Sequence, residues 1–170
     1  MSNILLSMDQ AAVVTGYAIF DEESKKYEYV GSWTITNDKY SNAAERLFIF
    51  KQNLSILYDR YKFNKIVFED IQLQRGNVKT FKTLAYIQAT IMLWTQENGV
   101  EYEISSPSHW RSILKEEYDI TWGRKREEQK AAAKAFAESQ GVESVSEDEC
   151  DAYCIGLAYL IEQDKPQSAF

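Results

Sequence analysis

The sequence is short of the residues that many enzyme chemistries need. It has one histidine, His109, and two cysteines, Cys150 and Cys154. One histidine does not readily supply a multi-histidine metal site. The two cysteines lie one helical turn apart in an apolar run, so they read as buried thiols and not as a disulfide or a zinc site. There is no Gly-rich phosphate loop and no dinucleotide fingerprint, which argues against ATP and NAD chemistry and against any nucleotide cofactor. No apolar run approaches the ~20 residues that span a bilayer. The N-terminus lacks a basic segment followed by a small-residue cleavage site. The expectation is a cytoplasmic protein with no membrane partner. The two prolines, Pro107 and Pro166, stand at plausible element boundaries. With no repeat, low-complexity tract or linker, residues 1–170 are expected to form a single domain, long enough for a real core.

Positive charge is also scarce: the formal net charge is -7. Phosphate-binding proteins usually carry the opposite sign, but here the charge is segregated. Residues 141–164 contain Glu143, Glu147, Asp148, Glu149, Asp151, Glu162 and Asp164 and no Lys or Arg, which accounts for the whole deficit. Between Arg60 and Lys82 the basic residues outnumber Glu69 and Asp70, and a second basic run holds Arg124, Lys125, Arg126, Lys130 and Lys134. Either run alone reads as a solvated face.

Apolar and β-branched patterning predicts strands at 3–9, 15–21, 26–36, 65–71 and 100–105. Helical spacing predicts helices at 41–61, 78–98, 107–118, 124–140 and 147–163, the first capped by Ser41 or Asn42. Adjacent early strands suggest a meander, and later strands separated by helices require parallel crossovers. The predicted class is α/β, a mixed five-stranded sheet with helices on both faces. The helix at 78–98 is apolar nearly all round, so it is either buried within the domain or shared with a second subunit.

Four acids stand out by position. Asp9 and Glu69 end buried strands, and charged groups are seldom placed there unless paired or bound to metal. If those strands are parallel neighbours, the two carboxylates share one sheet edge. Asp148 and Asp151 are three apart at the start of the last helix, on one helical face. Helix capping is the plain alternative: Ser146 and Glu149 form a capping box, which explains Glu149 well, Asp148 partly and Asp151 poorly. Several carboxylates converging without Lys or Arg partners repel one another, and hard divalent cations such as Mg²⁺ or Mn²⁺ relieve that repulsion. A pair of such ions hydrolyses phosphodiesters without histidine or serine.

The segments Asp9 with VTGYAIFD (14–21), VFED (67–70) and DECDAYCIGLA (148–158) resemble the three acidic blocks of the RuvC resolvases, in order and over most of the chain. The resemblance implies an RNase H-like fold, a homodimer, and cleavage of four-way DNA junctions, with two Mg²⁺ per active site (Mn²⁺ as a substitute) held by Asp9, Glu69, Asp148 and Asp151. It implies that Asp9 bridges both ions, that Glu69 and Asp151 each lean to one, and that Asp148 completes a site or orients water. Gln10-Ala11-Ala12 stands where the family has a Pro-Gly or similar turn, and Gln72 stands where it often has a base-stacking aromatic. These departures and the acidic balance suggest a bacteriophage or mobile-element member acting on branched DNA more generally.

The DNA contacts expected are Arg75, Lys79 and Lys82 after the Glu69 strand, Arg111, and the Gly-hinged loop with Arg124, Lys125 and Arg126. Trp122 in that loop either stacks on a base or is buried, burial being the stronger reading. The alternatives are another RNase H-like nuclease acting on RNA, a catalytically inactive junction-binding protein, or an interaction module whose acids only cap helices; the last leaves Asp9 and Glu69 unexplained.

Overall fold

The computed structural model describes residues 2–36, 42–73, 75–143 and 146–166. The elements run β1 (Ile4–Asp9), β2 (Val14–Asp21), β3 (Lys26–Thr34), α1 (Ala43–Tyr61), β4 (Lys65–Glu69), α2 (Val78–Asn98), β5 (Glu101–Ser105), α3 (Pro107–Tyr118), α4 (Arg126–Ser139) and α5 (Glu147–Asp164). The sheet order is β3-β2-β1-β4-β5. The first three strands are an antiparallel meander, while β4 pairs parallel with both β1 and β5. This is the mixed five-stranded sheet expected from the strand and helix order.

Most elements differ from the sequence expectation by one or two residues at a boundary, and three of these differences have a visible local reason. β3 stops at Thr34 because β2 begins only at Val14; Ile35 still donates its N–H to Val13 O at 2.8 Å. β4 stops at Glu69 as its partner β5 ends at Ser105. α4 starts at Arg126 because the backbone N–H groups of Arg124 and Lys125 both donate to Glu128 Oε2, at 2.8 and 3.0 Å. Of the two cap candidates for α1, Ser41 lies outside the described residues. Asn42 is the N-cap, its side chain accepting from Glu45 N at 2.8 Å.

Side-chain alternation along the strands divides the interior into two layers. Leu5, Ala18, Phe20 and Val67 face α3, α4 and α5. Leu6, Met8, Ile19, Ile66 and Phe68 face α1 and α2. α5 is the central helix of the first layer, and every residue from Cys150 to Leu160 is buried. Both thiols are therefore buried and not joined in a disulfide, as expected. On α2 the side with Ile87, Ile91 and Trp94 is buried, but Val78, Tyr86 and Leu93 are exposed.

α5 lies close to the sheet because two glycines let it. A Cβ on Gly156 would stand 2.3 Å from the Phe20 ring and 2.6 Å from Ser7 Oγ. A Cβ on Gly16 of β2 would stand 2.1 Å from the Asp148 carbonyl oxygen. Ser7 Oγ donates to Ala152 O at 2.7 Å, fixing the helix against β1.

Gly156→Ala adds helix propensity worth about 1 kcal/mol, but overpacking a fully buried contact costs about 1–3 kcal/mol. The collision involves an aromatic ring that cannot withdraw, so the expected result is net destabilisation, read as a lower denaturation midpoint at unchanged m-value.

Candidate active site

The parallel pairing of β1 with β4 runs in register through Met8 opposite Phe68. Asp9 and Glu69 are therefore neighbours at the C-terminal edge of the sheet. Beyond Met8 the ladder is continued by a side chain. Gln10 Nε2 donates to Glu69 O at 2.5 Å, and Glu69 N donates to Gln10 Oε1 at 3.3 Å. The Gln10 amide thus acts as a peptide group would, and it is buried while doing so. A proline here could not make these bonds.

Asp148 and Asp151 come to the same place from the first turns of α5. Ser146 caps that helix, its Oγ accepting from Glu149 N at 3.4 Å. The Glu149 carboxylate accepts from Ser32 Oγ at 2.9 Å and does not line the cleft, which keeps it apart from the other acids. Asp9, Glu69, Asp148 and Asp151 all line one open cleft of about 390 Å³.

The surroundings of these acids are partly cationic, and here the expectation of carboxylates converging without basic partners is corrected. Lys130 on α4 places Nζ 3.3 Å from Asp9 Oδ2 and 3.4 Å from Asp148 Oδ1, and in still closer contact with Asp151 Oδ2. In the sequence Lys130 was one member of a basic run, and nothing in that run marks its fourth member as the one turned inward. Trp110 is a second unanticipated neighbour. Its Nε1 donates to Glu69 Oε2 at 2.7 Å, and the ring is buried edge-on to Trp122. Trp122 itself is buried, with Nε1 donating to Arg111 O at 2.8 Å. Its role is to hold α3, and the base-stacking reading of Trp122 falls.

Burial drives the electrostatics. Desolvation pushes the Asp9 carboxyl up from 3.8 to about 8; Lys130 opposes the shift, and Asp151, Glu69 and Asp148 add to it. Glu69 and Asp151 are raised for the same first reason, opposed respectively by the Trp110 hydrogen bond and by Lys130. Burial alone would lower Lys130, but Asp9, Asp151 and Asp148 outweigh it and raise it.

The expected DNA-contacting residues divide. Arg111 and Arg126 line the cleft with the four acids. Arg111 lies 4.8 Å over the Trp110 ring and lowers both Glu69 and Asp151. Lys79 borders an adjoining hollow with Arg46. Arg75, Lys82, Arg124 and Lys125 are exposed and do not line the cleft.

The donor set is all oxygen, four carboxylates in one cleft, which suits a hard divalent cation. Among the described residues, no group of three or more His, Cys, Asp or Glu side chains is placed to hold a metal ion as it stands.

Sheet order, helix placement and acids at the β1 and β4 ends define an RNase H-like α/β protein. The chain belongs to the RuvC family: the model for crossover junction endodeoxyribonuclease RuvC matches residues 5–115, which includes Asp9 and Glu69 and stops before α4 and α5. A RuvC of Dictyoglomus thermophilum is 22% identical over 162 residues, spanning 95% of this chain and 98% of its own. Among solved structures, Thermus thermophilus RuvC in complex with a Holliday junction substrate superposes with a TM-score of 0.72 at 12% identity, covering 95% of this chain and 94% of that one. Fowlpox virus resolvase with its substrate junction superposes at 0.60 and 15% identity, covering 95% and 99%. At such identities the structural likeness establishes the fold.

The Asp9 shift has a sign that can be tested in chelator. The folded chain binds the Asp9 proton more tightly than the unfolded chain, so ionisation costs stability as pH rises from about 4 to about 8. Lys130 stays charged across that window and contributes no slope. In EDTA the melting temperature should fall from about pH 5 to about pH 8 more steeply in the wild type than in Asp9→Asn, as measured by calorimetry.

Proposed function

We propose that this protein is a metal-dependent DNA endonuclease that hydrolyses phosphodiester bonds at four-way junctions and other branched DNA. Family membership supports the reaction class. The observation that carries the assignment to particular residues is the convergence of Asp9, Glu69, Asp148 and Asp151, from two strands and one helix, on a single open cleft. Capping accounts for Glu149 at the start of α5 and poorly for Asp151, and it does not account for the acids at the ends of β1 and β4.

The four carboxylates are the ligands of Mg²⁺, two ions per site, with Mn²⁺ as a substitute. When bound, such ions generate a hydroxide-like nucleophile and neutralise charge on the phosphate. The chain supplies the rest. Gln10 and Trp110 fix Glu69 from its backbone and its carboxylate, so the ligand does not drift when the cleft is empty. Arg111 and Arg126 line the same cleft and attract the phosphate backbone. Lys79 extends that attraction into the adjoining hollow. Arg75, Lys82, Arg124 and Lys125 are exposed outside the cleft and serve the flanking arms. Residues 1–170 act as one nuclease domain.

The functional unit is a homodimer, with one site for each of two opposed strands. The exposed apolar row of Val78, Tyr86 and Leu93 on α2 supports this, together with Phe48 and Ile56 exposed on α1. Leu93→Asp is expected to sediment as a folded monomer where the wild type sediments as a dimer. A monomeric wild type would remove the dimer from this reading.

Replacing Asp9 with Asn or Glu69 with Gln should reduce cleavage of a synthetic four-way junction by at least about 10²-fold. Junction binding by gel shift should be retained, since affinity rests on the basic residues. Matched forks and linear duplexes distinguish a strict junction resolvase from a broader branched-DNA nuclease. Normal cleavage by the Asp9 variant would place the active site elsewhere, and cleavage of RNA alone would move the substrate class.

A further inference from the structure

Lys130 sits in the second turn of α4, and its ammonium lies among carboxylates that arrive from β1 and α5. Its side chain is 17% exposed, against 15% for Asp9 and 7% for Asp151. A solvent-exposed contact of this kind would count for little, but in a desolvated cluster removing one partner leaves charges unsatisfied. The Asp9, Asp148 and Asp151 oxygens that Lys130 touches belong to the set assigned above to the metal ions. An ammonium and a divalent cation repel one another and cannot both be held close to the same few oxygens.

Lysine suits an exchangeable occupant. It is a compact point charge on a flexible four-carbon stem. Arg126 and Gln129, just before it on α4, border the open cleft into which that stem can swing. Asp9, Asp148 and Asp151 are disposed around the ammonium.

We propose that Lys130 is the internal counter-ion of the metal-free site: it holds Asp9, Asp148 and Asp151 together until a divalent cation displaces it. This rests on the metal assignment above and deepens it. Lys130 is a positioning residue by this account. It restrains mutually repelling acids at the sheet edge while the cleft is empty, and it sets a threshold that the metal must overcome by competing for the same oxygens.

The test is Mn²⁺ binding to the full chain without DNA, read by the electron paramagnetic resonance of free Mn²⁺. It compares wild type, Lys130→Met, Lys130→Arg and Asp9→Asn, with melting temperatures in EDTA and in saturating Mn²⁺. Lys130→Met should bind Mn²⁺ more tightly, on the order of tenfold. It should melt below the wild type in EDTA and gain more from Mn²⁺ than the wild type does. Lys130→Arg keeps the charge and should bind no more tightly than the wild type; it also covers the case in which Lys130→Met does not fold without metal. Mn²⁺ affinity left unchanged or weakened in Lys130→Met, or tightened in Lys130→Arg, overturns the counter-ion role. If Asp9→Asn abolishes binding and Lys130→Met does not alter it, only the counter-ion role falls. If no variant binds Mn²⁺, the metal assignment falls and the competition falls with it.

Discussion

Placing four carboxylates in one cleft sets the constraint to which the surrounding structure responds. Each acid loses hydration and meets the field of the others, so the empty site would expand unless something restrained it. The restraints are visible on every side. Lys130 supplies positive charge to Asp9, Asp148 and Asp151. Trp110 supplies a neutral donor to Glu69, and Gln10 clamps the backbone of that same residue. Gly16 removes the side chain that would push Asp148 and α5 off the sheet. The site is thus held by hydrogen bonds and close packing against a repulsion that a divalent cation would relieve.

Much of this frame is legible in the sequence. Alternating and apolar runs identify all five strands, and helical spacing places α2 and α3 at their observed bounds. Asp9 and Glu69 can be picked out because acids at the ends of buried strands are costly, a signal that needs no tertiary information. Asp148 and Asp151 follow from helical periodicity. The rest depends on contacts between residues far apart in the chain. Lys130 lies 121 positions from Asp9, and its orientation depends on how α4 docks on α5. Gln10 looks like an ordinary polar loop residue until β4 is placed beside β1. Trp122 sits in a basic loop, yet packing against Trp110 buries it. Composition describes that loop, but the fold decides which of its members turn inward.

The acidic balance no longer conflicts with a DNA substrate once the charges are located. Part of the acid excess of the last segment lines the cleft, through Asp148 and Asp151. Arg111 and Arg126 border those acids, and Arg75, Lys82, Arg124 and Lys125 are exposed outside the cleft. The arrangement sets cations around a carboxylate centre, a distribution that net charge alone conceals. The RuvC family match ends at residue 115, so α5, which carries Asp148 and Asp151, lies beyond it.

The most direct test of the account is anomalous diffraction from crystals of the protein grown with Mn²⁺. The expected result is peaks bounded by Asp9, Glu69, Asp148 and Asp151, with the Lys130 ammonium withdrawn from the carboxylates it contacts in this structure. Manganese bound away from these four residues, or an active enzyme whose crystals show no manganese at the sheet edge, would contradict it.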